Sequence, residues 1–566
     1  MNRNVESHFS ELPKVDIERS IFDRSSSHKT SFDVGELIPF FIDEVLPGDT
    51  FNVTTSCVVR LQTPLTPIMD NLYLDTYYFY VPNRIVWSHW KEFMGENSSS
   101  AWIPESEYNV PRLVPPAAGW NVGTIADYFG IPVGINSSGK VIRSPIALPF
   151  RAYAAICDQW FRDQNLSDPL NYSVGDSNEN GSNGSNYVND VALGGKPFKV
   201  AKYHDYFTSC LPAPQKGPSV GLFPNSPNTA VNNFGSYALH YAPVYARNAN
   251  VVFDTTNPRF RLKMQTANDT ERNVVQVATE TTGVSDIKWS TSTSGGLSPS
   301  NLWADLSQSG ITINELRAAF QVQKYYEKNA RAGTRYREIL KEHFGITSSD
   351  ARLQIPEYLG GHRIPLSIHQ VANQSQGESD FLGDLGAMSN TSDVHEDFIK
   401  SFEEHGFVIG VCCVRYDHSY PQGLERFWCR TNKLDYYFPV FANIGEQIVY
   451  RDEIYYKAYD DQSAFVSNMV FGYQEAWAEY RYKPSRVSGE MRPGVSNSLA
   501  TWHLADYYDS MPTLSDSWIR EDKGNVDRVL SVTSSTSNQV FADFYVKNIA
   551  TRPMPVYSIP GLIDHH

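Results

Sequence analysis

The sequence predicts a mainly β protein, an antiparallel jelly roll whose strands come from both ends of the chain and are separated by long insertions. Three observations carry this expectation. Residues 51–61 alternate apolar and polar side chains over a full strand length, and similar patterns return near the C-terminus in "GFVIGVCCVRYD" and "QVFADFYVKNI". Regular strand–helix–strand alternation, the mark of a parallel α/β fold, is missing.

Taken in order, residues 1–35 are polar and aperiodic, which suggests an arm lying along other surfaces. In "FNVTTSCVVRL", Phe51, Val53, Thr55, Cys57, Val59 and Leu61 share one face of a half-buried strand. "TPLTPIMD" breaks the pattern, and "NLYLDTYYFYV" follows as a second strand, so the two read as neighbours in one antiparallel sheet. Phe150, Tyr153, Ala154, Cys157, Trp160 and Phe161 recur at helical spacing and give a helix with one wide apolar face. The Asn-, Ser- and Gly-rich stretch 171–195 reads as an exposed loop.

Residues 215–310 are turn-rich, with short alternating pieces, and read as an insertion with its own small β structure. Thr312 and Glu315 match a capping box; the helix they open pauses near Gly333, resumes with Tyr336, Ile339 and Leu340, and ends at Gly345. "HEDFIKSFEEH", His395 to His405, reads as a solvated acidic helix, and "AWAEYRYK" as a late strand. The chain therefore divides into an arm (1–35), a first part of the roll with helical and loop insertions (36–214), a surface insertion (215–310) and the remainder of the roll with a C-terminal arm (311–566).

Hydrophobic residues make up 41% and charged residues 20% of the 566 positions, enough to bury a core. Aromatic residues reach 13%, with 33 Tyr and 30 Phe, a content that suits both strands and large protein interfaces. A formal net charge of −15 excludes a surface that attracts nucleic acid as a whole, so any such contact is local. The 6 cysteines form no CxxC pair and no Cys/His spacing suited to structural zinc. Adjacent Cys412 and Cys413 point to opposite faces of a strand, and reduced thiols in a cytoplasm are expected. The N-terminus lacks the apolar run of a signal peptide, and stretches such as "FVIGVCCV" are too short to span a bilayer.

The search for catalytic patterns returns none. "GINSSGKV" nearly matches a phosphate-binding loop, but Val141 removes the hydroxyl that would hold Mg²⁺, and a hairpin turn is the better reading. No HExxH or GxSxG pattern occurs, and no catalytic residue, metal ligand or cofactor is assigned. For nucleic acid, "RYKPSRVSGEMR" offers Arg481, Lys483 and Arg486 with Tyr482 as a stacking face, the combination single-strand binders use. Arg3, Arg19 and Arg24 along the arm are placed to touch phosphates without specifying sequence. In "EAWAEYRYKPSR" the same alternation also suits packing between subunits, with Trp477 and Tyr480 as the anchors.

Several long segments together carry a resemblance. "DYFTSCLPAPQKGP" (205–218), "INELRAAFQVQKYYEKNARAGTRYREIL" (313–340), "PEYLGG" (356–361), "GEQIVYRDEIY", "FGYQEAWAEYRYKPSRVSGEMR", "WHLADYY" and "PGLIDHH" stand in the order and spacing of one family. With "LPGDTF" near the start, the chain resembles the major capsid proteins of gokushovirus-type microviruses, small single-stranded DNA bacteriophages. The resemblance covers nearly the whole chain and departs in 215–310.

It implies an eight-stranded viral jelly roll, self-associating into pentamers and a T=1 icosahedral shell around a circular single-stranded DNA genome. The insertion, Gln215 to Gly310, would form protrusions at the threefold axes and contact a host cell-surface receptor. The resemblance further implies a small basic DNA-binding peptide, an internal scaffolding protein and a minor pilot protein as partners. Assembly is expected in the bacterial cytoplasm, with no membrane insertion and no enzymatic activity. The alternative class is a secreted β-sandwich that binds or hydrolyses carbohydrate, which the missing signal peptide disfavours.

Overall fold

The computed structural model describes residues 18–96, 107–134, 139, 143–218, 313–332, 335–346, 355–374, 382–456 and 470–557, and six three-residue strands between 244 and 304. The chain divides into two compact units, one from Met1–Pro214 with Asn329–His566 and the other from Gln215–Lys328.

In the larger unit the early strands are β1 (Ser20–Asp23), β2 (Ser26–Phe32), β3 (Glu36–Val45), β4 (Thr50–Leu61) and β5 (Leu72–Pro82). Helix α1 (Leu148–Ile156) and β6 (Phe198–Lys199) follow. Then come α2 (Ile313–Ala332), all but its last four residues belonging to the smaller unit, α3 (Tyr336–Phe344), β7 (Glu357–Gly360), β8 (Arg363–Pro365), β9 (Ile368–Ala372), β10 (Leu385–Ser389), β11 (Thr391–Ser401) and β12 (Gly406–Tyr416). The last are β13 (Glu446–Tyr450), β14 (Val470–Glu475) and β15 (Val540–Arg552).

Two antiparallel sheets organise this unit. In the first, β15 pairs with β1 and β2 on one side and with β4 on the other, and β4 also pairs with β11. In the second, β12 lies between β5 and β3, with β7 and β8 on the far side of β5 and β6 on the far side of β3. The longest ladders thus join early strands to late ones, the long-range pairing expected of a jelly roll.

The inner faces of the two sheets share one core. Phe51, Val53, Thr55, Cys57, Val59 and Leu61 of β4 are all buried, the face the alternation marks. Across from them lie Phe40, Leu74, Tyr78, Val408 and Cys412, while Phe544 stacks on Phe40 at 4.6 Å between ring centres. The other face of the second sheet carries a second core, in which Phe79, Val81, Phe407, Ile409 and Cys413 meet α1. That double cover explains why β12 reads as an unbroken apolar run. Cys412 and Cys413 serve different cores, and all six cysteines are free thiols. At Gly410 a Cβ would lie within about 3 Å of Tyr78, Phe40 and Phe41, so glycine lets three aromatic residues close over the strand.

Four expectations need correction. First, β4 and β5 are not neighbours in one sheet; they face each other across the core, where the Thr55 and Tyr78 hydroxyls meet at 2.7 Å. The connection crosses between layers because the second face of β5 is needed for the helical side. Second, residues 20–32 of the expected arm are strands, since β15 offers them a complete ladder of backbone partners. Third, His395–Ser401 lies in edge strand β11 and not in a helix; ladder bonds along β4 override the helical preference of an acidic run.

Fourth, 171–195 is not simply an exposed loop. The Arg151 guanidinium, fully buried, donates to the Gly175 carbonyl at 2.9 Å and pairs with Glu179 at 3.2 Å. Asn178 and Asn183 accept from the backbone N–H groups of Arg112 and Asn121 at 2.8 Å each. Side-chain amides supply here the partners that a sheet would otherwise provide.

Helices α2 and α3 form where expected, and Gly345 ends α3 at φ +69°. Thr312 and the Glu315 side chain of the expected capping box, most of "GINSSGKV" and the C-terminal "PGLIDHH" lie outside what is described. In the smaller unit the described strands form three antiparallel pairs: Val244–Ala246 with Leu302–Ala304, Lys263–Gln265 with Glu271–Asn273, and Trp289–Thr291 with Leu297–Pro299.

Inner and outer positions of β15 should respond differently to truncation. Phe544→Ala should lower the unfolding free energy of the soluble subunit by about 3–5 kcal/mol. Tyr545→Ala, on the outer face, should lower it by less than about 1 kcal/mol. Chemical denaturation followed by fluorescence checks both.

Candidate assembly surface

Beyond the sheets, segments far apart in sequence build a third core. Tyr206, Phe207 and Cys210 pack with Tyr420, Val449, Ile454 and Phe471, with Tyr482, Tyr508 and Trp518 against them. Little regular structure holds these segments, so buried polar groups do. One Asp205 carboxylate oxygen accepts from the N–H groups of Phe207 (2.9 Å) and Thr208 (2.8 Å), and the other from the Tyr420 hydroxyl (2.8 Å). The Tyr206 hydroxyl donates to Glu453 at 3.1 Å, and the Gln474 amide donates to the Tyr206 carbonyl at 2.9 Å. Burial pushes the Glu453 carboxyl above its ordinary value.

Asp506 is the node of this region. One of its oxygens accepts from His418 and from the Asn525 amide, both at 2.8 Å. The other accepts from the Tyr508 hydroxyl at 2.7 Å and from the buried Lys202 ammonium at 3.2 Å. The second ring nitrogen of His418 meets Glu521 at 2.9 Å. Burial alone would make the imidazole easier to deprotonate, but the carboxylates of Asp506 and Glu521 outweigh it and push its pKa up to about 9. His418 is therefore an imidazolium at neutral pH, donating from both nitrogens.

The segment Glu475–Arg486 sits on this core. Strand β14 pairs with β13, but the regular pattern stops at Glu475, and "AWAEYRYK" is not a strand. Trp477 takes a left-handed backbone conformation (φ 65°), costly for a bulky residue by about 1 kcal/mol or more. Its N–H donates to Gln447 and its indole to the Phe441 carbonyl, both at 3.0 Å. At 7% exposure it is an internal anchor, so intersubunit packing through Trp477 is not direct. Tyr480 is half exposed, its hydroxyl accepting from the Tyr437 N–H at 3.3 Å and its ring covered on one side by Arg430 at 4.3 Å.

The cations and the ring suggested for DNA already have partners. Tyr482 lies flat on Tyr206, ring centres 5.0 Å apart, so one of its faces is taken. Arg481 pairs with Glu475, and Lys483 and Arg486 both pair with Glu425. Desolvation opposes ionisation of Glu425, yet these two cations hold its carboxyl below the ordinary value. Arg24 pairs with the buried Asp43, and exposed Arg19 lies beside the Gly48 turn. Arg3 lies outside the described residues, as does most of Gln215 to Gly310. Among the described residues, Arg24 and the 481–486 cations are held by different carboxylates, Asp43 for the first and Glu475 and Glu425 for the others.

Sequence reasoning did not single out Asp506, His418 or Lys202. The signal was present in "WHLADYY", whose Asp is flanked by aromatics; only its meeting with His418 from beyond β12 gives it a role. Among the described residues no group of three or more His, Cys, Asp or Glu could hold a metal ion, and no helix is long and apolar enough to cross a membrane.

Comparison with known proteins adds identity to this geometry. The family model described as "Capsid protein (F protein)" matches residues 10–562. Capsid protein VP1 of Spiroplasma virus 4 is 42% identical over 545 residues, covering 94% of each chain. The capsid proteins VP1 of Chlamydia phage 1 and Bdellovibrio phage phiMH2K are 36% and 38% identical, each comparison covering 99% of this chain and 98% of the relative.

The His418 clamp makes a pH prediction. The folded value, about 9, lies above the 6.5 of a free imidazole, so the folded chain holds the proton more tightly. The stability this adds is complete below about pH 6.5 and is lost as pH rises through about 9. Denaturation midpoints of the wild type should fall over that window, and those of His418→Gln should start lower and change less. Parallel curves for the two proteins would contradict the clamp.

Proposed function

The chain belongs to the phage capsid protein (F protein) family and has the role of a major capsid protein; from that premise we propose how it builds a virion. Copies associate into pentamers and close into a T=1 icosahedral shell around a circular single-stranded DNA genome. The observation that supports this most is the near-complete coverage of three capsid proteins VP1. The sandwich acts as the rigid body, and the third core supplies the outer contacts.

The charge balance fits a division of labour. Packaged DNA needs most of its phosphate charge neutralised, and a subunit of net charge −15 cannot supply that. A small basic DNA-binding peptide does so in this reading, while an internal scaffolding protein guides assembly and a minor pilot protein accompanies the genome. Arg481, Lys483 and Arg486 reach DNA only by exchanging carboxylates for phosphates, so their contribution is to order nearby strands. The insertion Gln215 to Gly310, which falls within the compact unit Gln215–Lys328, meets a host cell-surface receptor at the threefold axes. No reaction is catalysed: the buried carboxylates described above are occupied by structural donors.

Co-expression of the full chain with the scaffolding protein should give closed shells of one size in electron micrographs. A chain that stays monomeric with its scaffold present would count against the shell. Replacing about Ser219 to Ser307 by a short linker should leave shells forming while attachment to host cells is lost. Attachment equal to wild type would remove the receptor role from this insertion.

A further inference from the structure

No hydrophobic residue of 421–448 is buried, although the segment is dense in aromatics. Trp428 is 66% exposed, Leu434 61% and Val440 80%, with Tyr436, Phe438 and Ile444 about half exposed. Buried chains of this length normally hide such residues, and soluble monomers rarely leave a contiguous apolar patch of more than a few hundred Å².

The patch is contiguous and held in shape. Phe427 stacks against Trp428 at 4.6 Å, Arg430 lies over both Tyr436 and Tyr480, and Tyr437 meets Trp477 at 5.8 Å and Tyr480 at 6.2 Å. Three short 3-10 turns, Arg426–Cys429, Lys433–Asp435 and Pro439–Phe441, shape the backbone. Asp435 closes the middle one by accepting from the Asn432 and Thr431 N–H groups at 2.7 and 2.9 Å. Trp477 ties the last one down through the Phe441 carbonyl. The belt is thus ordered before any partner arrives, which lowers the entropy cost of docking.

Its charges select the partner. Arg430 is paired with Glu479 at 3.2 Å, and Arg426 donates to the Ile448 carbonyl at 3.0 Å and faces Glu453. The large side chains that face outward are apolar, interrupted by the polar turn Thr431–Asp435, with the Glu425, Lys483 and Arg486 pairs at the edge. An apolar centre with a polar rim is the anatomy of a protein–protein interface and the opposite of a polyanion site. Large side chains half exposed over such a segment offer on the order of 800 Å², the share one partner gives to a standard interface.

We infer that the aromatic belt of residues 426–444 is the surface by which one copy of this chain docks on a second copy. This rests on the capsid-subunit reading, since a shell is where another copy is always at hand. Tyr480 belongs to the belt, and Trp477 supports it from below.

The test is hydroxyl-radical footprinting of the full-length chain, as soluble subunits and as shells. Trp428, Tyr436 and Phe438 should oxidise readily in subunits and several-fold more slowly in shells. The double variant Trp428→Ser with Val440→Ser should keep wild-type circular dichroism as a subunit and give at least about ten-fold fewer shells, as loss of interface anchors does. Equal oxidation in both states would overturn the inference. So would protection already present in isolated subunits, which would mean that the chain covers its own belt, or protection that nuclease treatment removes, which would make DNA the occupant. Wild-type chain that forms no shells would overturn the capsid-subunit reading itself, a failure distinct from shells in which the belt stays open.

Discussion

The loop-built half of this protein depends on one buried carboxylate. Asp506 gathers Lys202 and His418 from far earlier in the chain, together with its near neighbours Tyr508 and Asn525, and through His418 it reaches Glu521. Only the short β13–β14 pair runs through this region. A buried charge held by matched donors helps fix its geometry, because removing one partner leaves the other unpaired at a cost of about 3–5 kcal/mol. In the sandwich the two sheets satisfy their own backbone and bury a continuous apolar core, to which ion pairs such as Arg24–Asp43 and Arg415–Asp75 are added.

This division explains what could be read from the sequence. Period-two alternation names the inner face of β4 residue by residue, because one side of that strand meets the core and the other does not. The same argument fails at β5 and β12, where both faces are covered and alternation disappears; length and flanking breaks still reveal strands there, but not which sheet they join. The acidic run at His395 misleads because a helix preference is local, whereas the ladder offered by β4 is not.

The candidate site was legible as a location and not as a mechanism. "DYFTSC", "GEQIVYRDEIY", "FGYQEAWAEYRYK" and "WHLADYY" mark separate segments, and the fold gathers residues from each of them around the third core. Nothing in the string 481–486 says that Glu425, some sixty residues earlier, neutralises Lys483 and Arg486, since such pairing is set by tertiary contact. The exposed belt at 426–444 escaped notice for the opposite reason: aromatic density without periodicity reads as ordinary loop or core until its exposure is seen. A rigid sandwich, a polar-stitched third core and an exposed apolar belt are the parts that this fold combines.

The most direct test of that design is lysine cross-linking in shells co-assembled from isotope-labelled and unlabelled subunits, so that links between copies are recognised by mass. Contact through the third core predicts that they concentrate on Lys433 and Lys483, beside the belt. Links concentrated on Lys29 and Lys547, on the open face of the first sheet, with none at Lys433 or Lys483, would contradict it.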